Sequence, residues 1–206
     1  MRLGAILYND FELLDAYGPL EMFGCLGDDL EIVVVAEQSG PVGSSAGPQT
    51  VAHYDFANAP PLDLTLLPGG IGTVPELDNP KLLDFLRERC PQAQINMSVC
   101  SGSALLAKAG LLDNLRATSN KMYFSLASTQ SDAVEWVEEA RWVDAGQYVT
   151  SSGVSAGTDM AVAVIARLFG QQRAEQVCAY TEYQWHRDAD NDPFVKFLNQ
   201  APELPA

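Results

Sequence analysis

The chain has 206 residues, enough for one domain that buries about 70% of its extended surface on folding, so it can hold a core without disulfides or metals. Hydrophobic residues at 47% and charged residues at 19% exclude intrinsic disorder. Twenty-seven acidic residues against twelve Lys and Arg give a net charge of −15, which excludes the basic footprint that binding of nucleic acid or an anionic membrane requires.

Strand-like and helix-like runs alternate from the start. Leu3–Leu7 is a short apolar strand, and Leu13, Leu14, Tyr17, Leu20, Met22 and Phe23 then recur at helical spacing up to Gly24. Leu30–Ala36 is a β-branched run of the kind buried on both faces of a parallel sheet, and Gly40–Gly47 reads as a hairpin or loop. Asp63–Leu67 is a strand ending in Pro68-Gly69-Gly70, and Pro80–Cys90 is an amphipathic helix. Ile95–Val99 is the next strand and Ser103–Gly110 the helix after it. A short strand over Ala117–Asn120 and a helix over Lys121–Thr129 are expected, then a β-ribbon joining Glu135–Val143 to Tyr148–Ser151. Helices over Ser155–Phe169 and Arg173–Trp185 follow, and 187–206 is expected as a peripheral, acidic, frayed tail. This alternation predicts βαβ units in a mostly parallel sheet covered on both faces, as one domain over 1–206. Ligands of such sheets bind beyond the carboxyl ends of the strands, here near Leu67, Val99 and Ser151.

The four cysteines, Cys25, Cys90, Cys100 and Cys178, form no C-x-x-C pair, and His53 and His186 are the two histidines. No metal site or other cofactor is expected, and the thiols read as reduced, as in the cytoplasm. The opening residues show no apolar region followed by a small-residue cleavage site, and no apolar stretch is long enough to span a bilayer.

The segment Ser98-Val99-Cys100-Ser101-Gly102-Ser103-Ala104-Leu105-Leu106 runs a buried strand through small residues into a helix, with cysteine at the corner. That is the layout of a nucleophile elbow. The free amides and dipole of the following helix are expected to favour the Cys100 thiolate. The other cysteines lack such surroundings and read as structural. His53, at the sheet edge, and His186, at the end of the last helix, are weak candidates for a base. Asp15, lodged among Leu13, Leu14 and Tyr17, is the better partner: burial would raise its pKa and keep a proton on it for delivery to a reacting atom. Gly69 and Gly70 allow a close backbone approach, and an oxyanion pocket from their amides with that of Ser101 fits such chemistry. The aromatics Tyr8, Tyr17, Tyr123 and Phe124 are candidates to line the pocket.

The segments LLDAYGPLEMF, LLPGGIG, SVCSGSALLAKAGLL and SSGVSAGTDMA together resemble the ThiJ/PfpI superfamily, a branch of the class I glutamine-amidotransferase-like fold, from the first strand to about Phe169. Within it, an aspartate in FELLDAYGPLEMF and a C-[ST]-G elbow are most similar to isonitrile hydratases. The resemblance implies a flavodoxin-like three-layer α/β/α sandwich and a homodimer acting on a small molecule. It assigns Cys100 as nucleophile, Asp15 as its hydrogen-bonded acid and Ser101 as the elbow neighbour. Many relatives carry a histidine and an aromatic after the elbow; here the stretch is Ala117-Thr118-Ser119-Asn120-Lys121. Asn120 can orient a group but cannot carry a proton, which speaks against peptidase and amidase chemistry. Three readings share Cys100: hydration of an isonitrile to an N-substituted formamide, glyoxalase- or deglycase-like handling of reactive carbonyls, and a cysteine redox sensor.

Overall fold

The apolar runs become the strands of one sheet. The computed structural model describes residues 1–200. Its strands are β1 (Arg2–Ile6), β2 (Glu31–Ala36), β3 (Gly40–Gly43), β4 (Gln49–Ala52), β5 (Tyr54–Asp55), β6 (Leu64–Leu67), β7 (Ile95–Val99), β8 (Arg116–Ala117), β9 (Glu135–Trp136), β10 (Trp142–Asp144) and β11 (Tyr148–Ser151). The helices are α1 (Leu13–Gly24), α2 (Thr73–Glu76), α3 (Pro80–Arg89), α4 (Gly102–Lys108), α5 (Phe124–Ser128), α6 (Ala156–Phe169) and α7 (Gln171–Tyr180). Seven strands form the central sheet in the order β10-β11-β7-β6-β1-β2-β5. All its pairings are parallel except that of β10 with β11.

Side chains from one face of the sheet, Leu64, Leu66, Ile95, Met97 and Val99, pack with Met22 and Phe23 of α1, Met160 and Ile165 of α6 and Val177 of α7. On the other face Val35 and Leu67 cluster with Leu82 and Leu86 of α3 and Leu105 and Leu106 of α4. Each fully buried side chain of this size contributes about 1.5–3 kcal/mol. The result is the flavodoxin-like three-layer sandwich. The chain leaves β1 toward β2 on one side and returns to β6 on the other, so the order reverses at the carboxyl ends of β1 and β6, where a crevice opens in such sheets. A Cβ on Gly18 would collide with Thr158, so α1 crosses α6 closely enough to carry Asp15 toward the end of β7. α3 begins on an N-cap: Asn79 accepts the Lys81 amide at 3.0 Å, with Pro80 in the first turn.

The hairpin expected from Gly40 forms, Gly40–Gly43 pairing antiparallel with Gln49–Ala52 outside the central sheet. Several other elements depart from the sequence reading. The expected ribbon divides: Trp142–Asp144 pairs with Tyr148–Ser151, but Glu135–Trp136 pairs in parallel with Arg116–Ala117 instead. The helix expected from Lys121 starts only at Phe124 because Lys121 is drawn inward as a buried side chain. The last helix stops at Tyr180, not Trp185, since Tyr183 turns back to hydrogen-bond Asp159. The stretch 187–200 is tied down rather than frayed, with Asp192 at 1% exposure; residues 201–206 lie outside the described residues. Among the described residues no helix is long and apolar enough to cross a membrane.

Candidate active site

Cys100 follows the last residue of β7 and precedes α4, at the carboxyl end of the sheet. Its φ is +58°, a left-handed conformation that costs a non-glycine residue about 1–2 kcal/mol. The surroundings impose it. The Cys100 amide donates to the carbonyls of Ser151 and Ser152 at 3.2 and 3.1 Å, and its carbonyl accepts the hydroxyls of Ser103 and Ser119 at 3.1 and 3.0 Å. A side chain on Gly102 would collide with the carbonyls of Leu67 and Pro68, so only glycine lets the elbow sit this close to the end of β6.

Asp15 is fully buried. Leu14 and Tyr17 do not bury it, being 46% and 44% exposed; the turn after β6, Cys100 and the backbone at Val154 enclose it. Asp15 Oδ2 accepts the Gly69 amide at 2.9 Å, and Oδ1 has no hydrogen-bond partner among the described residues. Burial pushes the carboxyl up to about 7; the Gly69 amide pulls it back, and the charge of Glu12 raises it.

The thiol departs from the sequence expectation. Burial raises the Cys100 pKa well above its ordinary value, and the Asp15 charge raises it further. The Ser101 amide and the side chains of Asn120 and Ser101 favour the thiolate, but desolvation outweighs them. At 7% exposure the sulfur has lost the water that would stabilise its charge. Near neutrality the thiol therefore keeps its proton, while the carboxyl is in the middle of its titration.

Asn120, 6% exposed, favours the Cys100 thiolate. Its Oδ1 accepts the Tyr123 amide at 3.1 Å, which fixes the side-chain amide in place. The two glycine amides proposed for an oxyanion pocket are both engaged: that of Gly69 on Asp15, that of Gly70 on Ser101 Oγ at 3.1 Å. Their structural reason is tight contact. A Cβ on Gly69 would lie 2.5 Å from both the amide nitrogen and Oγ of Ser101, and Gly70 has φ +130°. Of the donors expected, the Ser101 amide and the Asn120 side chain favour charge on the sulfur.

Thr73 was not singled out by motif, and Tyr8, expected to line the pocket, instead joins it in a chain of hydroxyls. Thr73 Oγ1 lies 2.9 Å from both Ser101 Oγ and Tyr8 Oη, and Tyr8 donates to the Pro68 carbonyl at 2.6 Å. This chain of hydroxyls locks the Pro68–Gly70 turn to the elbow, and nothing in the spacing of Thr73 announces it. Of the aromatics expected in the pocket, Phe124 instead packs edge-on against Trp136, and Tyr17 bonds Thr50 in the hairpin at 2.8 Å. Tyr123 is exposed. His53 and His186 are exposed, and neither acts on Cys100. Among the described residues no group of three or more His, Cys, Asp or Glu could hold a metal ion.

The fold and site thus define a class: a flavodoxin-like α/β protein with a cysteine on a strained strand-to-helix elbow against a buried carboxyl. The DJ-1/PfpI family matches residues 1–167, and the chain belongs to it. It is similar to an isonitrile hydratase of Pseudomonas putida, 34% identical over 183 residues, spanning 89% of this chain and 78% of that one. It is also similar to the deglycase PfpI of Pyrococcus furiosus, 26% identical over 152 residues, spanning 72% of this chain and 86% of that one. The crystal structure of a ThiJ/PfpI family protein from Pseudomonas syringae superposes with a TM-score of 0.80 at 33% identity, over 93% of this chain and 76% of that chain.

Proposed function

We propose that this chain is a cysteine-dependent isonitrile hydratase. The observation that carries the reading is a fully buried carboxyl, Asp15, raised by burial to about 7, beside a thiol on the elbow, with the Ser101 and Asn120 side chains favouring charge on the sulfur. The similarity to the Pseudomonas putida enzyme supports it. An isonitrile carbon must gain both a nucleophile and a proton. Cys100 Sγ forms a bond to the terminal carbon while the thiol proton passes through Asp15 to that same carbon, giving a thioimidate, R–N=CH–S–Cys100. Water then adds to this carbon, with a proton going to nitrogen through Asp15. The carbon–sulfur bond breaks, the hydroxyl proton returns to sulfur, and R–NH–CHO leaves with the thiol restored. A carboxyl that titrates near the working pH both takes and gives protons readily. The Ser101 amide and Asn120 stabilise charge on sulfur as it develops.

The site roles follow: Cys100 as nucleophile, Asp15 as proton carrier, Ser101 and Asn120 as donors to sulfur, Gly69 and Gly70 as the turn that holds Asp15 and Ser101. The test is formamide production from a simple alkyl isonitrile by the native chain and by Cys100→Ala, with a 2-oxoaldehyde assayed in parallel. Formamide formation lost in Cys100→Ala is expected. Consumption of the 2-oxoaldehyde alone would move the assignment to carbonyl chemistry.

A further inference from the structure

After α7 the chain does not leave the molecule but returns across β10 as a strap, beyond the part matched to the family. Tyr183 Oη and the His186 amide donate to Asp159 Oδ1 at 2.9 and 2.8 Å. The Ala189 carbonyl accepts the Arg141 and Trp142 amides at 2.7 and 3.3 Å, and the Asp192 amide donates to the Glu139 carbonyl at 2.7 Å. Farther along, the Asn199 amide donates to the Lys121 carbonyl at 2.8 Å, and Asn199 Oδ1 accepts the Ser125 amide at 2.8 Å.

Beneath the strap lies a charged cluster withdrawn from water. The side chains of Lys121 and Asp192 are each 1% exposed, with Nζ 4.0 Å from Oδ2. Arg141 pairs with Asp159 at 2.7 Å and reaches Asp192 at 3.7 Å. Lys121 Nζ donates to the Ala140 carbonyl at 2.6 Å and to Thr118 Oγ1 at 2.8 Å. Burying such charges is costly, and an apolar filling would commonly serve stability as well. Their position suggests another use. Lys121 Nζ reaches the Ser119 carbonyl at 3.5 Å, and the Ser119 hydroxyl donates to the Cys100 carbonyl at 3.0 Å; Lys121 also follows Asn120, whose side chain favours the Cys100 thiolate. Lys121 is thus gripped at its carbonyl by the strap and at its ammonium by the Ala140 carbonyl and the Thr118 hydroxyl, with Asp192 of the strap as its buried countercharge at 4.0 Å.

We propose that the strap, residues 183–199, holds Asn120 against Cys100 through the Lys121–Asp192 pair, which makes Lys121 and Asp192 positioning residues for the thiol. The inference rests on Cys100 being the reactive group. It assigns the buried cluster to the elbow, which the cluster does not touch.

The test is the rate of Cys100 alkylation by iodoacetamide in the full-length chain, followed by mass spectrometry of the Cys100 peptide. Asp192→Asn and Lys121→Met are measured alone and combined with Asn120→Ala. Each single change is expected to slow alkylation about tenfold, as loosened positioning does. In the Asn120→Ala background neither should slow it further, since the residue through which they act is gone. Losses that multiply in that background, or no loss from either change, would overturn the proposal. Should the buried substitutions unfold the chain, Asn199→Ala provides the same cycle. It removes the acceptor of the Ser125 amide at the end of the strap, where φ is +54°. Native Cys100 that alkylates, with variants behaving as expected but no isonitrile turnover, sinks the hydratase reading alone. A native Cys100 inert to iodoacetamide sinks both.

Discussion

Asp15 takes the Gly69 amide on one carboxyl oxygen, at 2.9 Å, and among the described residues its other oxygen has no hydrogen-bond partner. One bond orients the acid and the free oxygen is left for proton traffic. The arrangement works against folding at neutral pH. In the unfolded chain this carboxyl ionises near 3.8, and in the folded chain at about 7. Between those values the folded state holds the extra proton, so stability falls as pH rises from about 4 to about 7 and the group's contribution is level outside that window. Asp15→Asn removes the dependence. The variant should match the native chain in urea unfolding at pH 4 and exceed it at pH 8 by on the order of 4 kcal/mol. Equal gaps at both pH values would mean that Asp15 is already ionised in the folded protein.

Gly69→Ala should damage both fold and site. The new methyl would sit 2.5 Å from the Ser101 amide nitrogen and 3.0 Å from Cys100 Cβ, and a backbone atom cannot step aside cheaply. A loss of about 1–3 kcal/mol is expected in chemical denaturation, with activity down about 100-fold as the turn carrying Asp15 shifts. Native-like values for both quantities would exclude this turn from holding the acid.

Ser101→Ala strands the Gly70 amide and takes a partner from Thr73. Leaving such groups buried and unpaired costs about 1–3 kcal/mol. Ser101→Thr keeps the oxygen and should recover most of that loss in a thermal melt. A threonine variant as unstable as the alanine one would show that added bulk, not the hydrogen bonds, decides this position.

Asp159→Ala leaves Arg141 buried without its partner and deprives the Tyr183 hydroxyl and the His186 amide of their acceptor. Removing one member of a buried pair costs about 3–5 kcal/mol. The double change Arg141→Met with Asp159→Leu should recover part of the lost stability, because the two strap donors still lack an acceptor. Full recovery would mean that those two bonds contribute nothing.

The parts of the molecule legible in the sequence were those written in local pattern. Ile32–Ala36 is an apolar run that admits little but an inner strand, Ile95–Val99 alternates apolar and polar residues at strand period, and the small residues around Cys100 announce an elbow because few other structures want Ser-Gly-Ser after a buried strand. Distant partners were not legible. Glu135–Trp136 reads as a ribbon strand until Arg116–Ala117 takes it in parallel. Lys121 reads as the start of a helix until Asp192, far along the chain, supplies a buried countercharge. The charge state of Cys100 was misread for a related reason. Helix amides and dipole can be inferred from local sequence, but the desolvation that outweighs them depends on how deeply the whole fold buries the sulfur.

The sheet ends on one side in β5, only two residues long, and on the other in β10, whose flank is met by the Ala189 carbonyl accepting the Arg141 and Trp142 amides. An open row of backbone donors and acceptors is the usual template on which one β protein recruits another into fibrous aggregates. Here one border is too short to serve and the other is already occupied by the chain's own C-terminal stretch. The strap therefore doubles as a guard on colloidal behaviour, and loosening it would expose a growth edge as well as disturb the thiol.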